Sequence, residues 1–416
     1  MPLSKEIMNT TNNNKLLFLF LAIILITFFI GNWEGLSIIM TGVAVVIWVP
    51  VFLKFSWCLN KQERKYVLVS ILFLLLMLFY NYIGLSTNNV VIVVRNISWI
   101  LSGLISIYVL KMFSKKEQLY LFALFVLLLM MMIVGLMRTG SSYDISEAVN
   151  AANTWVSSML MILSGICIIV ANNIKSLYFR VFFIAITFCS IYTNFYILQR
   201  GTNAVLTLIE IILIMSLNFK NRFLVKTIFV IVISLTFFLY VTDIYREMFE
   251  WIASVIPSER ISSRLLIVSR SIQYLDIEEG GGTLTARSEL MSISWNTFTS
   301  GFQNFVFGAG AHKDDNVIIG NHSFILDTLA SYGIIGGIIF YIYFKKQFQF
   351  IMSYVNKKAN PLLYSQCVVV FCVYIFRNYF GAMATACINF IMLMFFPLAI
   401  KMIQKYNTTI TKIIKQ

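Results

Sequence analysis

Hydrophobic positions in this chain fall in long, nearly unbroken runs, not in the alternation of a half-buried strand or the four-residue beat of a surface helix. The runs cover 16–30, 36–53, 66–84, 90–110, 119–137, 155–171, 181–198, 202–218, 223–241, 323–344, 362–380 and 382–400. Each is close to the roughly 20 apolar residues that carry a helix across a bilayer. The pattern predicts an all-α polytopic membrane protein of about twelve transmembrane helices. It divides the chain into a bundle at 1–241, a polar-and-apolar external segment at 242–321, a second bundle at 322–400 and a basic tail at 401–416.

Composition agrees and narrows the class. Of 416 residues, 59% are hydrophobic and 12% charged, whereas a soluble domain carries about 25% charged residues. A soluble enzyme and a disulfide-stapled secreted domain are excluded. The net charge of +14 suggests a nucleic-acid partner until its location is read. Alternate connections carry Lys54, Lys61, Arg64 and Lys65; Lys111, Lys115 and Lys116; Lys175 and Arg180; Lys220, Arg222 and Lys226. The same side continues with Lys345, Lys346, Lys357 and Lys358, the N-terminal Lys5 and Lys15, and Lys401, Lys405, Lys412 and Lys415. Its only acids are Glu6, Glu63 and Glu117. This is the positive-inside pattern, so both termini are expected in the cytoplasm and no nucleic acid is implied. No small-residue cleavage site follows Gly31, so the first span is read as uncleaved. Five of the six cysteines lie in spans and Cys58 in a cytoplasmic loop, which supports no disulfide framework.

The external segment is far longer than an ordinary connection. Tyr245, Met248, Phe249, Ile252 and Ile256 fall on one helical face, the pattern of a helix lying in the membrane interface. Gly280, Gly281 and Gly282 break the middle. A second amphipathic stretch from Thr285 to Phe298 carries Leu290, Ile293 and Trp295, before a turn at Gly308-Ala-Gly310. The segment reads as a folded lid on the outer membrane face.

The two sides use different cations. Outside the cytoplasmic set stand Arg95, Arg138, Arg200, Arg246, Arg260, Arg264, Arg270, Arg287 and Arg377, with Lys313 the one lysine. Arginine grips phosphate oxygens with a planar fork of donors and tolerates partial burial better than lysine. The bias points to a phosphate or pyrophosphate bound at the outer face; ion pairs with the loop's glutamates are the plainer account of Arg246 and Arg260. Arg95, Arg200 and Arg377 sit at or inside the outer ends of spans, where a charge costs a few kcal/mol unless it is paired or faces water. Snorkelling to the headgroups is the alternative. Glu210, about eight residues into its span, either lines a polar cavity or packs between helices. The two histidines, His312 and His322, lack zinc-binding spacing even with Asp314 and Asp315 nearby, so no metal is assigned. His322, between Asn321 and a span containing Asp327, either caps a helix or takes a proton from a sugar hydroxyl.

Gly308-Ala-Gly310 followed by Asn321-His322-Ser-Phe-Ile-Leu-Asp-Thr-Leu-Ala-Ser-Tyr-Gly333-Ile-Ile-Gly336 resembles the O-antigen polymerase and ligase superfamily. Ala286-Arg287 through Trp295 and Asn304-Phe-Val-Phe-Gly308 are similar to that family's approach to its histidine. Gln199-Arg200-Gly201 is similar to its Ser-Arg-Gly element, with Gln in place of Ser, and Phe305 stands where Pro is common. Arg270 precedes Gly281 in a loose match to an Arg-x10-Gly pattern. The resemblance covers roughly residues 199–336 and implies a GT-C-like membrane fold. It further implies a metal- and nucleotide-free transfer from undecaprenyl-pyrophosphate-linked oligosaccharide at the outer face of a bacterial inner membrane. On it, His322 and Arg287 are the expected catalytic residues; Arg200 and Arg377, then Arg270, Arg264 and Arg95, are the expected pyrophosphate ligands. A flippase and a chain-length regulator are the expected partners. A ligase handing the glycan to lipid A core shares the motifs, and the apolar, Phe-rich chain with a single external loop favours the polymerase over it. A flippase shares the span count but needs charges along a central path, whereas here they gather at outer ends and in one loop.

Overall fold

The computed structural model describes residues 17–25, 34–83, 89–139, 147–194, 201–219, 244–257, 284–310, 319–320, 323–379 and 386–414, with isolated residues between 224 and 266. Every regular element among them is helical. In chain order these are α1 (Glu34–Phe55), α2 (Lys61–Ile83), α3 (Asn89–Met112), α4 (Lys115–Thr139), α5 (Glu147–Asn173), α6 (Leu177–Tyr192) and α7 (Gly201–Ser216). There follow α8 (Ile244–Val255), α9 (Leu284–Thr299), α10 (Phe302–Phe307), α11 (Phe324–Met352), α12 (Pro361–Tyr379), α13 (Ala386–Phe390) and α14 (Phe396–Ile414), with a π turn at Ile391–Phe395 joining the last two. Five helical stretches are long and apolar enough to cross a membrane: Lys115–Val134, Val156–Asn173, Phe324–Met352, Pro361–Asn378 and Ile388–Lys405. Shorter apolar helices accompany them at Gly42–Leu53, Ile97–Met112, Leu177–Tyr192 and Leu206–Ser216. The molecule is a helical membrane protein.

Apolar residues decide which faces turn inward. α5 is buried nearly all round, with Met159, Leu160, Ile166 and Val170 inaccessible, so it is the central post. On α4, by contrast, Leu127, Met130, Met131 and Val134 stay exposed, as a helix bordered by lipid requires. The deepest aromatic cluster joins four helices. Tyr66 of α2 and Tyr343 of α11 share a hydroxyl hydrogen bond of 3.1 Å, and Trp99 of α3 packs on Tyr343 at 4.9 Å between ring centroids. The Asn389 amide, on α13 just before the π turn, donates to the Trp99 carbonyl at 2.6 Å and accepts from Gln347 at 2.8 Å. Where no water can satisfy a polar group, such internal pairing specifies register. Gly103 allows α3 to sit against Tyr66, whose hydroxyl would lie 2.6 Å from any Cβ there.

At the opposite edge of the bundle, Asn203 of α7 donates to Ser157 of α5 at 2.7 Å, and Asn173 of α5 donates to Gln366 of α12 at 2.6 Å. Between these levels the Glu210 carboxylate is fully buried, without a hydrogen-bond partner among the described residues, and it occupies the space a side chain at Gly165 would fill.

The 242–321 segment is largely helical where described. α8 and α9 begin and end within a residue or two of the stretches expected at 243–256 and 285–298. One detail differs: α9 turns Ser294 and Phe298 inward, while Trp295 stays half exposed. Ser294 is inward because it carries hydrogen bonds that an apolar residue could not supply.

A larger difference concerns α11. Its apolar run reads as one span descending from Phe324, yet the chain reverses at Gly333, where φ is 62° and ψ is −165°. Phe324 packs on Phe340 with ring centroids 5.0 Å apart, although a straight helix would separate these residues by about 24 Å. A Cβ at Gly337 would lie 2.6 Å from Leu329, and one at Gly336 would collide with the Tyr332 side chain. α11 is therefore a helical hairpin with a short first arm before Gly333 and a long second arm after it. Glycines at 336 and 337 let the arms close.

Candidate active site at the foot of the hairpin

The hairpin is held at its tip and at its foot. At the tip, the reversal frees carbonyls that a continuous helix would have used. The Ala330 carbonyl accepts from the Ala309 N–H at 2.8 Å, and the Ser331 carbonyl accepts from the Gly310 N–H at 3.0 Å. Gly308 and Gly310 adopt φ of 79° and 84°, a region that other residues enter only with strain. So the expected turn at 308–310 forms, and its backbone closes the broken helix.

At the foot, Ser323 caps the first arm, its hydroxyl accepting from the Leu326 N–H at 3.3 Å. Asp327 folds back to accept from the Ser323 N–H at 3.1 Å and from the Ser294 hydroxyl at 2.6 Å. The same Ser294 oxygen accepts from the Gly320 N–H at 2.9 Å. A side chain at Gly320 would strike the Leu290 backbone, so α9 lies directly on the strand entering the hairpin. Ser294 is thus a hub joining α9, the entering strand and the first arm.

This foot lies well inside the bundle. Phe324 meets Trp99 of α3 at 5.7 Å between ring centroids, and Trp99 itself is buried with an indole N–H that has no partner among the described residues. His322 itself lies outside the described residues. Its described neighbours, Gly320 and Ser323, are pinned beside Trp99 and Leu290, below the hairpin tip by the length of the first arm, about 13 Å.

Two other expected residues reach the same level. Arg287 is on α9, one turn before Leu290, and α9 climbs beside the first arm, with Leu290 at Gly320 and Ser294 at Asp327. The α9 backbone at Arg287 is therefore at the foot. Arg377 is on α12, which pairs with the second arm through Phe371 on Phe348 at 5.0 Å and Tyr374 on Phe344 at 5.7 Å. One further turn along α12 carries Arg377 to the level of Phe340, the residue against Phe324. Arg377 is 7% exposed, which makes snorkelling into headgroups a poor account of it, because a snorkelling guanidinium ends in water. Arg95 is on α3 one turn from Trp99. Arg287 thus stands on the helix packed on the first arm, Arg377 on the helix packed on the second arm, and Arg95 on the helix that carries Trp99. Arg200, Arg264 and Arg270 lie outside the described residues, as do Gly280 to Gly282, His312, Lys313, Asp314, Asp315 and most of the 223–241 run.

Ser294, Asp327 and Trp99 were not singled out from the sequence as site residues. For Asp327 a signal existed: Ser323-x-x-x-Asp327 beside a helix start is a capping pattern. Compared with protein-family models, the chain matches none, and no curated protein matches it.

Proposed function

We propose that this chain is a polymerase of lipid-linked glycans, working at the outer face of a bacterial inner membrane with twelve spans and both termini in the cytoplasm. Its donor is a glycan on undecaprenyl pyrophosphate, and its acceptor is a hydroxyl of the next lipid-linked repeat unit. What supports the reading is that Arg287 stands on the helix packed on the first arm, one turn before Leu290, and that the buried Arg377 stands on the helix packed on the second arm, one turn beyond Tyr374. An enzyme that breaks a bond to pyrophosphate needs fixed cations where negative charge grows, and it needs them out of bulk water, where they act most strongly.

The reaction breaks the bond between the anomeric carbon and the pyrophosphate oxygen, and forms a bond from that carbon to the acceptor oxygen. The electron pair leaves with undecaprenyl pyrophosphate, held by Arg287 and Arg377. The acceptor proton passes to the imidazole of His322. Trp99 and Phe324 wall the foot.

Deletion of the gene in its source strain tests the reading. Surface glycolipid carrying a single repeat unit and no ladder supports polymerisation; bare core with accumulated lipid-linked units supports ligation or transport instead. His322→Ala and Arg287→Ala are each expected to remove the ladder at unchanged protein level, and a full ladder from both would overturn the residue assignment.

A further inference from the structure

Away from the hairpin, α4 and α14 part at one end of the bundle to leave a cleft of about 710 Å³. Its floor is apolar, built by Leu119, Phe122 and Leu398, and its rim carries Lys115, Lys401 and Lys405. Among the described residues the remaining polar lining is Gln118 and Gln404, and no acid lines it. The nearest acid on α4, Glu117, turns away to accept from the Ser114 N–H at 2.7 Å. The cleft falls at the first residues of the stretch Lys115–Val134 and the last of Ile388–Lys405, so it sits at a membrane edge, where headgroups begin.

The rim lysines divide by role. Lys401 is half-buried and committed to the fold: its ammonium donates to the Leu110 carbonyl at 2.8 Å and to Gln118 at 3.2 Å, capping the end of α3. Lys115 and Lys405 are exposed. Two exposed cations and one buried cation over an apolar trough match a molecule with an anionic head and hydrocarbon chains. We propose that this cleft binds one anionic phospholipid, its phosphate between Lys115, Lys401 and Lys405 and its acyl chains along Leu119, Phe122 and Leu398. The volume suits a bound small molecule or part of a lipid, and basic pockets between spans are apt for anionic headgroups. The proposal is independent of the activity assigned to the hairpin foot.

Native mass spectrometry of the detergent-solubilised full chain tests it, with phosphatidylglycerol, phosphatidylcholine and inorganic phosphate as probes. Wild type is expected to retain one phosphatidylglycerol at about 10-fold lower concentration than phosphatidylcholine, whose headgroup carries no net charge. Lys115→Ala with Lys405→Ala should abolish that preference, and Lys115→Arg with Lys405→Arg should keep it; Lys401 is left intact because α3 depends on it. Equal retention of both lipids, or an unchanged preference in the double alanine variant, overturns the proposal. Saturation of the site by inorganic phosphate at the same concentration overturns the lipid assignment in favour of a free anion.

Discussion

Gly308 and Gly333 meet back to back: a Cβ on the first would strike the Ser331 carbonyl, and a Cβ on the second would strike the Val306 carbonyl. Both also hold positive φ, at 79° and 62°. Two glycines 25 positions apart in the chain thus form one joint, in which the 308–310 turn closes the hydrogen bonds of a reversed helix. Gly333→Ala should lower the melting temperature of the purified protein sharply, since backbone strain alone costs about 1–3 kcal/mol and the collision adds to it. A melting curve indistinguishable from wild type would deny the joint any structural weight.

The Ser294 hub allows a more graded test. Ser294→Ala leaves the Gly320 N–H and one Asp327 oxygen without this partner, at a cost of about 1–3 kcal/mol for each buried group left unsatisfied. Asp327→Asn keeps an acceptor and should cost less. If the foot is the reaction centre, both variants lose product while the amount of folded protein stays the same. Loss of folded protein in proportion to product would reduce the hub to a fastener.

Arg377 separates charge from geometry. Arg377→Lys keeps the positive charge but loses the fork that grips two oxygens at once. Polymer output is expected to fall at least tenfold with unaltered membrane insertion, measured by quantitative blot beside the glycolipid gel. Full output from the lysine variant would remove bidentate phosphate binding from the account.

Glu210 and Gly165 make a lock whose parts are expected to be non-additive. Gly165→Ala places a methyl group where the carboxylate sits, and in a packed interior overfilling costs about 1–3 kcal/mol. Glu210→Ala vacates that space. The double variant should be closer in stability to Glu210→Ala alone than the sum of the single effects allows, as a thermal-shift cycle would reveal. Additive losses would place the two residues out of contact.

Helix positions were legible in the sequence because a bilayer makes simple demands on length and polarity. α4, α5 and α12 each coincide with an apolar run, and α8 and α9 with the amphipathic stretches of the loop. The direction of a helix is not encoded that way. Residues 324–344 are mostly apolar, with Asp327 the one charge, and a run that turns back on itself has the same composition as one that continues. The only hint was the spacing of Gly333, Gly336 and Gly337, which equally suits close packing against another helix. For the same reason Arg287 and Arg377 could be named singly, whereas the level of their backbones along the hairpin required knowing that the first arm rises toward Gly333.

The pairing of Tyr66 with Tyr343 spans 277 residues, and this distance is also an interval of time. At roughly 5–20 residues per second of synthesis, α2 waits on the order of tens of seconds for its partner arm. Throughout that interval the inward faces of Tyr66, Ser70 and Phe73 sit in the membrane without the surface they finally match. Something must occupy them meanwhile: lipid, earlier helices such as α3, or an insertion factor. The last third of the chain therefore acts as the keystone of assembly, and a ribosome stalled before α11 would leave an open arch in the membrane.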